Sequence, residues 1–556
     1  MKLKRAEHIY TAKITKKKFI CMQELILKQL SLLIKNFGDF KTGVEKMKIE
    51  FLQDEYWYGG AVHFGYKMPA DCNSDIMVNL VTAEDIADQY SPLFISSKGR
   101  YIYSDKPFVI HFNKGSIDIE GSGEIELSEG HGTLKNAQLA AAKKHFSLEG
   151  KIPNPLFLKV PQYNTWIELM YNQNQKQILE YAHSLVDAGM EPGVLMIDEG
   201  WAPDYGDYDF CARKFYSPKA MVKELHDLGF KVMLWVVPLI SPDSNCYREL
   251  RDTDYLIKDK DGNFAIRQWW NGHSCILDLS NPKACKWFKE KLKALKDNYD
   301  IDGFKFDAGG AYLYKNDDKT YLNQESCEHT RSFDIFGSEF EFNEIRCVWN
   351  LGGSPIVCRL QDKTPTWDSA GGYDLGFSSL IPNMLSQGLL GYFYGCPDMI
   401  GGGGYGSFLK KGYKTDEELY IRWLEASVLC PMMQFSISPK RILSEKSFKT
   451  VLGITKIHSK YADLILELAK KASNTGEPVM RYMEYEFPNE GFEKVTDQFM
   501  LGDKILVAPV NEKGSTTRRV KLPLGIWQHL DGKEYAGGTE VEVEAPLDVL
   551  PIFIKK

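Results

Sequence analysis

The chain has 556 residues, of which 44% are hydrophobic and 26% are charged, with 68 Lys and Arg residues against 75 Asp and Glu residues. This composition can bury large cores, which excludes disordered, collagen-like and disulfide-stapled miniprotein classes. The net charge of −7 lacks the basic excess that is typical of nucleic-acid-binding proteins, so we expect no nucleic-acid partner.

Residues 1–50 form a basic, irregular leader whose role the sequence does not define. The apolar run over 19–27 is interrupted by Gln23 and Glu24, which makes it a poor signal-peptide core and too short to span a bilayer. We therefore expect no membrane partner and a cytoplasmic location.

The 11 cysteines are scattered singly along the chain, without a Cys-x-x-Cys pair or a Cys/His cluster at zinc spacing. This pattern argues against a disulfide framework and against a structural metal site. We expect the protein to work without a metal or another cofactor.

Residues 51–154 contain short runs rich in Val, Ile, Phe and Tyr that are separated by Gly, Asn, Asp and Ser. Two examples are the runs at 100–104 and 108–112, the second followed by Lys114 and Gly115. Short alternating runs with turn signals between them predict an N-terminal antiparallel β-sandwich.

In residues 155–475, the pattern predicts strands, loops and helices that alternate along the chain. The predicted helices cover 175–189, 219–228 and 281–296, and the predicted strands cover 194–197, 231–238 and 303–307. Apolar strands that alternate with helices of this length favour repeated βα units around a parallel sheet. The length of the segment suits an α/β fold of the (β/α)8 TIM-barrel type.

Residues 476–556 return to short β runs, as at 504–510, 518–523, 541–544 and 549–554. They predict a small C-terminal β-sandwich domain appended to the barrel.

Carboxylates follow several of the predicted barrel strands. Asp198 and Glu199 come after the strand at 194–197, Asp307 ends the strand at 303–307, and Asp398 follows a later apolar segment. The C-terminal ends of the strands carry the active site in such barrels. Acids gathered there, beside aromatic residues, point to carboxylate chemistry such as glycoside cleavage, which needs two carboxyl groups.

Asp307 is the candidate nucleophile. Lys305 lies two residues earlier and therefore on the same side of the strand, where its charge can keep the Asp307 carboxyl group ionised.

Several motifs, in matching order over residues 51–556, resemble glycoside hydrolase family 31, the family of α-glucosidases and α-xylosidases. They are Ile-Asp-Glu-Gly-Trp at 197–201, Tyr-Gly-Asp-Tyr-Asp-Phe at 205–210, Phe-Tyr-Ser-Pro-Lys-Ala-Met at 215–221, Leu-His-Asp-Leu-Gly-Phe-Lys-Val-Met-Leu-Trp-Val-Val-Pro at 225–238, Gly-Phe-Lys-Phe-Asp-Ala-Gly at 303–309, Pro-Asp-Met-Ile-Gly-Gly at 397–402 and Arg-Trp at 422–423.

The resemblance implies a retaining exo-α-glycosidase that acts on an oligosaccharide or glycoside by double displacement, with Asp307 as the nucleophile. It also implies that Asp198 and Asp398 hold hydroxyl groups of the terminal sugar and that Lys305 pairs with the carboxylates. The full set of expected substrate-binding residues is Asp198, Glu199, Trp201, Trp235, Trp270, Lys305, Arg346, Arg359 and Asp398.

The acid/base residue is the difficult assignment, because the Trp-x-Gly-Asp segment that family members carry is missing here. We expect Asp362 in this role, since it lies three residues after Arg359 in a segment that should leave a barrel strand. The rival candidates are Asp368, next to Trp367, and Asp374.

Two departures from the family pattern concern sugar recognition. Residues 431–439 lack the hydroxyl-binding His that many members have, and Gly309 and Gly310 replace an acid that often follows the nucleophile. Besides α-glucosides, therefore, α-galactosides, α-xylosides and N-acetylated α-galactosaminides stay open as substrates. A catalytically silent carbohydrate-binding barrel, or a lyase or transglycosylase using the same carboxylates, is the alternative.

Overall fold

A computed structural model describes residues 45–83, 88–368 and 375–556 of the chain. Most of the expected leader, and the candidate Asp374, lie outside these described residues.

The first β-rich region forms two sheets that share one core. Its strands are β1 (Glu45–Glu50), β2 (Trp57–Ala61), β3 (Asp75–Asn79), β4 (Gln89–Ser96), β5 (Tyr101–Tyr103), β6 (Phe108–Asn113), β7 (Ser116–Gly121) and β8 (Glu126–Ser128). One sheet has the order β1-β7-β6-β3, and in the other β5 lies between β4 and β8 while β2 also pairs with β4. Phe94 of β4 contacts Phe108 and Phe112 of β6, so the sheets pack face to face as in the predicted sandwich.

The strands of the central region follow in chain order. They are β9 (Gln162–Asn164), β10 (Val194–Ile197), β11 (Lys231–Val236), β12 (Leu239–Ile240), β13 (Arg267–Trp269), β14 (Gly272–Ile276), β15 (Gly303–Phe306), β16 (Phe342–Ile345), β17 (Val348–Trp349), β18 (Val357–Arg359), β19 (Tyr394–Cys396) and β20 (Gln434–Phe435). β17 pairs in parallel with β4 and thereby adds a strand from the barrel region to the N-terminal sandwich.

Eight of these strands form one parallel sheet in the order β19-β18-β16-β15-β11-β10-β9-β20. The two outer strands meet, because Met432 N–H donates to Gly395 O at 3.0 Å and Ile400 N–H donates to Gln434 O at 2.8 Å. The sheet therefore closes on itself, and the fold is the expected (β/α)8 barrel with sheet-rich domains on both sides.

Helices surround the barrel and connect it to the flanking domains. They are α1 (Leu134–His145), α2 (Leu156–Lys159), α3 (Trp166–Leu169), α4 (Gln175–Asp187), α5 (Pro218–Asp227), α6 (Asn245–Leu250), α7 (Pro282–Tyr299), α8 (Ser326–Ser338), α9 (Leu380–Leu389), α10 (Tyr405–Phe408), α11 (Glu417–Ser427), α12 (Pro439–Ile442), α13 (Glu445–Thr475) and α14 (Met483–Glu486). Short 3-10 helices cover Val62–Lys67, Ala311–Leu313 and Phe377–Ser379. Within the described residues, no helix has both the length and the apolar character needed to cross a bilayer.

Helix α1 lies in the segment that we expected to be entirely β. Thr133 caps its first turn by accepting a hydrogen bond from Asn136 N–H at 3.2 Å, and Ala137 and Ala141 are buried against the barrel core. A capping Thr followed by an alanine-rich run is a helix signal that the preceding β pattern obscured.

The barrel interior is layered. Apolar side chains such as Met196, Met233 and Phe342 form the lower layer, and the next inward residues of several strands are charged or polar. Among these, Glu344 lies 3.4 Å from Arg359 and accepts a hydrogen bond from Gln434 at 2.9 Å. Because side chains alternate along a strand, every second residue faces the barrel interior. The charged inward residues therefore lie one layer above the apolar ones, next to the C-terminal rim.

The C-terminal region forms a six-stranded sheet, β21-β22-β23-β28-β25-β26, and the pair β24-β27, all antiparallel. The strands are β21 (Met480–Arg481), β22 (Phe499–Leu501), β23 (Ile505–Val507), β24 (Thr517–Leu522), β25 (Ile526–His529), β26 (Glu534–Ala536), β27 (Thr539–Glu544) and β28 (Ile552–Lys555). Arg422 of α11 joins the barrel to this region by donating hydrogen bonds to Ser515 O at 3.0 Å and Ala545 O at 2.8 Å.

Candidate active site

Asp307 directly follows β15 and so lies at the C-terminal rim of the barrel. Trp235 Nε1–H donates a 2.9 Å hydrogen bond to its Oδ2 atom, and Arg346 Nε lies 3.1 Å from its Oδ1 atom. Lys305 Nζ is 3.6 Å from Oδ2. Burial by itself raises the pKa of Asp307, but Arg346, Lys305 and Arg359 overcome that effect and lower the pKa well below its ordinary value. The Asp307 carboxyl group is therefore ionised throughout the neutral range.

Lys305 connects two carboxylates. Its ammonium group donates a 2.7 Å hydrogen bond to Asp198 Oδ2 while lying beside Asp307, and all three side chains are buried. The structure thus places Lys305 and Asp307 on the same side of β15, as the strand periodicity predicts. Asp198 is further held through its backbone N–H, which donates to Thr165 Oγ1 at 3.0 Å.

Glu199 is held by a hairpin that extends over the rim. Trp270 and Asn271 form the turn between β13 and β14, and both donate hydrogen bonds to Glu199 Oε2, that of Trp270 Nε1–H at 3.2 Å. Burial, followed by the adjacent Asp198 carboxylate, raises the pKa of Glu199 to about 8. Glu199 is thus a carboxyl group that holds its proton at neutral pH.

The three predicted tryptophans differ in position. Trp270 is 42% exposed, and the Arg346 guanidinium group lies 5.2 Å from the centre of its ring. Trp235 is buried and contacts Asp307. Trp201 contacts the backbone of Trp235, because Trp201 Nε1–H donates to Trp235 O at 2.8 Å. A cavity of about 210 Å³, lined by Trp201, Trp235 and Tyr205, opens beside this pair.

Arg359 organises the other side of the rim. Its Nη1 atom donates to Asp362 Oδ1 at 2.9 Å and to Asp398 Oδ1 at 2.7 Å. The side chain of Asp362 is 30% exposed, whereas those of Arg359 and Asp398 are almost completely buried. Asp362 is therefore the carboxyl group of this pair that a substrate can reach.

The rival candidates for the acid/base role have other positions. Asp368 is exposed, and its backbone carbonyl accepts a hydrogen bond from Thr366 Oγ1 at 3.0 Å. Asp374 lies outside the described residues.

The site also contains Glu344, Gln434 and Asn271, which are not among the residues predicted from the sequence motifs. Glu344 was detectable, because it lies two residues before Arg346 on β16 and so faces the barrel interior with it. Asn271 had no local signal, since the contact with Glu199 joins a hairpin turn to the end of a strand 72 residues away.

Eight parallel strands with buried carboxylates and tryptophans at their C-terminal ends define a TIM barrel of the glycoside-hydrolase class. Two family models match the sequence: that of the glycosyl hydrolases family 31 TIM-barrel domain over residues 161–344, and that of the glycosyl hydrolase family 31 C-terminal domain over residues 476–556. The barrel and the C-terminal domain of this chain therefore belong to glycoside hydrolase family 31.

Curated relatives include the myogenesis-regulating glycosidase of Mus musculus, which is 32% identical over 73% of this chain and 57% of its own length. The α-xylosidase XylQ of Lactiplantibacillus pentosus is 24% identical over 85% of this chain and 64% of its own length. The chain thus spans less than two thirds of the length of these relatives. Among solved structures, a Flavobacterium johnsoniae GH31 dextranase in complex with isomaltotriose aligns over 93% of this chain and 67% of its own, with a TM-score of 0.78 and 21% identity. At 21% identity, this similarity shows a shared fold.

Proposed function

We propose that this protein is a retaining exo-α-glycosidase that removes terminal α-linked sugars from oligosaccharides or glycosides. The observation that carries the proposal is the environment of Asp307, whose carboxylate is kept ionised by Arg346 and Lys305 and oriented by Trp235. A buried, ionised and oriented carboxylate is what a nucleophile at an anomeric carbon requires.

In the first step, an Asp307 oxygen attacks the anomeric carbon and the bond to the leaving oxygen breaks. Asp362 donates its proton to that oxygen, so that the alcohol leaves neutral and a covalent glycosyl-enzyme remains. In the second step, Asp362 takes a proton from water, the water oxygen attacks the anomeric carbon, and Asp307 is released as a carboxylate. Two inversions give net retention.

Asp362 suits this exchange because it is tethered and still accessible. The 2.9 Å contact with Arg359 Nη1 fixes one carboxyl oxygen, and an exposure of 30% allows the other to meet the leaving group and water.

Sugar recognition is assigned to the groups around Asp307. Asp198 and Glu199 supply hydrogen-bonding groups for hydroxyls, and the Trp270 ring supplies an apolar face. We rank an α-glucoside first, with α-galactoside, α-xyloside and N-acetyl-α-galactosaminide as the other candidate substrates on the same mechanism.

The test begins with initial rates on aryl α- and β-glycosides of these four sugars. We expect turnover of one α-glycoside that is lost in Asp307→Gly. Azide should then restore product formation in two distinguishable ways: a β-glycosyl azide from Asp307→Gly, and an α-glycosyl azide from Asp362→Ala. Identical azide products from both variants would refute the role assignment, and silence of the wild type on every glycoside would favour a binding role.

A further inference from the structure

Asp362 and Asp398 share a single guanidinium nitrogen. Arg359 Nη1 lies 2.9 Å from Asp362 Oδ1 and 2.7 Å from Asp398 Oδ1, so the position of each carboxyl group depends on the other through Arg359. Arg359 is itself buried, with its Nε atom 3.4 Å from Glu344. Such a charge is costly to bury without partners, and its partners therefore fix its orientation.

The Asp398 carboxylate is engaged on both oxygens by the protein. Oδ1 accepts from Arg359, and Oδ2 accepts from Lys363 N–H at 2.8 Å and Gly403 N–H at 2.9 Å. Its side chain has 0% exposure, which leaves no surface for a sugar hydroxyl. Lys363 directly follows Asp362, so Asp398 holds the segment of Asp362 by its backbone as well as by Arg359.

The glycine loop after Asp398 closes this arrangement. A Cβ atom on Gly403 would lie 2.8 Å from Asp398 Oδ1 and 3.0 Å from Asp362 Oδ1. The loop backbone therefore packs directly against both carboxyl groups, and only a residue without a side chain permits that approach.

We propose that Asp398 is a positioning residue, which fixes the Asp362 carboxyl group through Arg359 and the Lys363 backbone and does not itself bind the sugar. This inference rests on the proposed function. It differs from the role that the family resemblance implies, in which Asp398 holds a hydroxyl group of the substrate.

The charged groups around Asp398 shift its pKa in opposite directions. Burial raises the pKa of Asp398, Arg359 opposes that effect, and the neighbouring Asp362 carboxylate adds to it. Titratable and charged groups that face Asp398 are thus Arg359 and Asp362, with Lys363 nearby in the same segment. Loss of the Asp398 charge should free Arg359 to move toward Asp362 or Glu344 and displace the proton donor.

The experiment compares Asp398→Asn with Asp362→Ala on two glycosides of the same sugar, one with a dinitrophenyl and one with an alkyl leaving group. General acid assistance contributes about 10²- to 10⁴-fold, and a good leaving group needs little of it. We expect Asp398→Asn to lose about 10- to 100-fold in kcat/KM on the alkyl glycoside and less than about threefold on the dinitrophenyl glycoside. Affinity for the free monosaccharide should be unchanged.

Equal losses on both glycosides, with weakened monosaccharide binding, would show that Asp398 contacts the sugar and would overturn the proposal. Equal losses together with a lower unfolding temperature would overturn it in favour of a purely structural role.

Asp334→Asn is the matched control, because Asp334 is also a fully buried carboxyl group but pairs with Trp349 N–H, away from Arg359. If Asp362→Ala shows the leaving-group effect and Asp398→Asn does not, the inference fails while the proposed function stands. If Asp362→Ala does not show it either, the acid/base assignment itself fails.

Discussion

The indole N–H of Trp235 donates a 2.9 Å hydrogen bond to Asp307 Oδ2, and the ring of Trp235 lies 6.4 Å from that of Trp269 in a stacked arrangement. The donor therefore approaches the carboxylate from a pair of buried, nearly parallel aromatic rings. Hydrogen bonds to charged groups contribute about 1.5–3 kcal/mol, more than those between neutral groups.

Replacing Trp235 with Phe removes this donor while keeping an aromatic ring. We expect kcat to fall by about 10- to 100-fold, because the nucleophile loses both orientation and a charge-stabilising contact. Steady-state rates measure the effect. Trp269→Phe is the control, since the indole N–H of Trp269 donates to Ser274 Oγ and not to a carboxylate. Comparable losses in the two variants would mean that the packing of the two rings, and not the hydrogen bond to Asp307, sets kcat.

Removing Lys305 should change the pH dependence of the reaction. Lys305 and Arg346 lower the pKa of Asp307, so Lys305→Met raises that pKa and moves the acidic limb of the kcat/KM profile to higher pH. Rates from about pH 3 to pH 9 cover the relevant window, which begins below the ordinary titration range of carboxyl groups and extends above it. The exposed Lys223→Met substitution provides a control that should leave the profile unchanged. An acidic limb at the same pH in Lys305→Met would contradict this account of how Asp307 is kept ionised.

The raised pKa of Glu199 predicts that the free energy of unfolding depends on pH. Its pKa rises from an ordinary value of 4.5 to about 8 in the folded protein, so the folded state binds one proton more than the unfolded state between these values. The contribution of Glu199 to the free energy of unfolding is fully present below pH 4.5 and is lost as the pH rises toward 8, by up to about 1.4 kcal/mol per pH unit.

The neutral Glu199→Gln variant should therefore be less sensitive to pH than the wild type over this window. Urea unfolding at pH 5, 6, 7 and 8 tests the difference, and the Glu249→Gln variant, whose carboxyl group lies on the surface and has a lowered pKa, serves as the comparison. Parallel stability curves for the wild type and Glu199→Gln would contradict a protonated Glu199.

Gly403→Ala should impair catalysis more than stability. The new Cβ atom would come within 2.5 Å of Met399 and within 3.0 Å of both site carboxyl groups, which forces the loop or the acids to move. We expect kcat/KM to drop by about tenfold or more, since small misplacements of reacting groups have large kinetic effects. Gly406→Ala, three residues later, has nothing within 4 Å of its added Cβ and should behave as the wild type. Normal activity in Gly403→Ala would indicate that the loop adapts.

Arg422→Met should weaken the attachment of the C-terminal domain. The guanidinium group is buried and joins Glu425 to the carbonyl groups of Ser515 and Ala545, so its loss leaves a buried carboxylate and two acceptors without their donor. Breaking a buried ion pair of this kind costs about 3–5 kcal/mol. Denaturant unfolding measures the loss, and the double variant with Glu425→Gln should recover part of it. If the double variant is no more stable than Arg422→Met, the unpaired Glu425 charge is not the cause.

The sequence predicted the barrel well wherever the information is local. The apolar run at Val194–Ile197 and the motif around Asp307 lie in strands with the expected ends, and helix α4 stops shortly before Gly189, whose φ of +86° ends the helix. Helix α1 was missed because the β runs that precede it led us to expect β structure up to residue 154. The turn at Trp270 and Asn271 and the sharing of Arg359 depend on contacts between distant segments, which neither periodicity nor spacing encodes.

The position of strand β17 has a consequence for folding during synthesis. Val348 and Trp349 complete the sheet that begins with β4, about 260 residues earlier in the chain. During synthesis from the N-terminus, the end of β4 that holds Gln89 and Tyr90 lacks this partner until more than half of the barrel has left the ribosome, and an unpaired strand end is a template for wrong pairing. The N-terminal sandwich is therefore made before the barrel but receives its last strand only after β17 has been made.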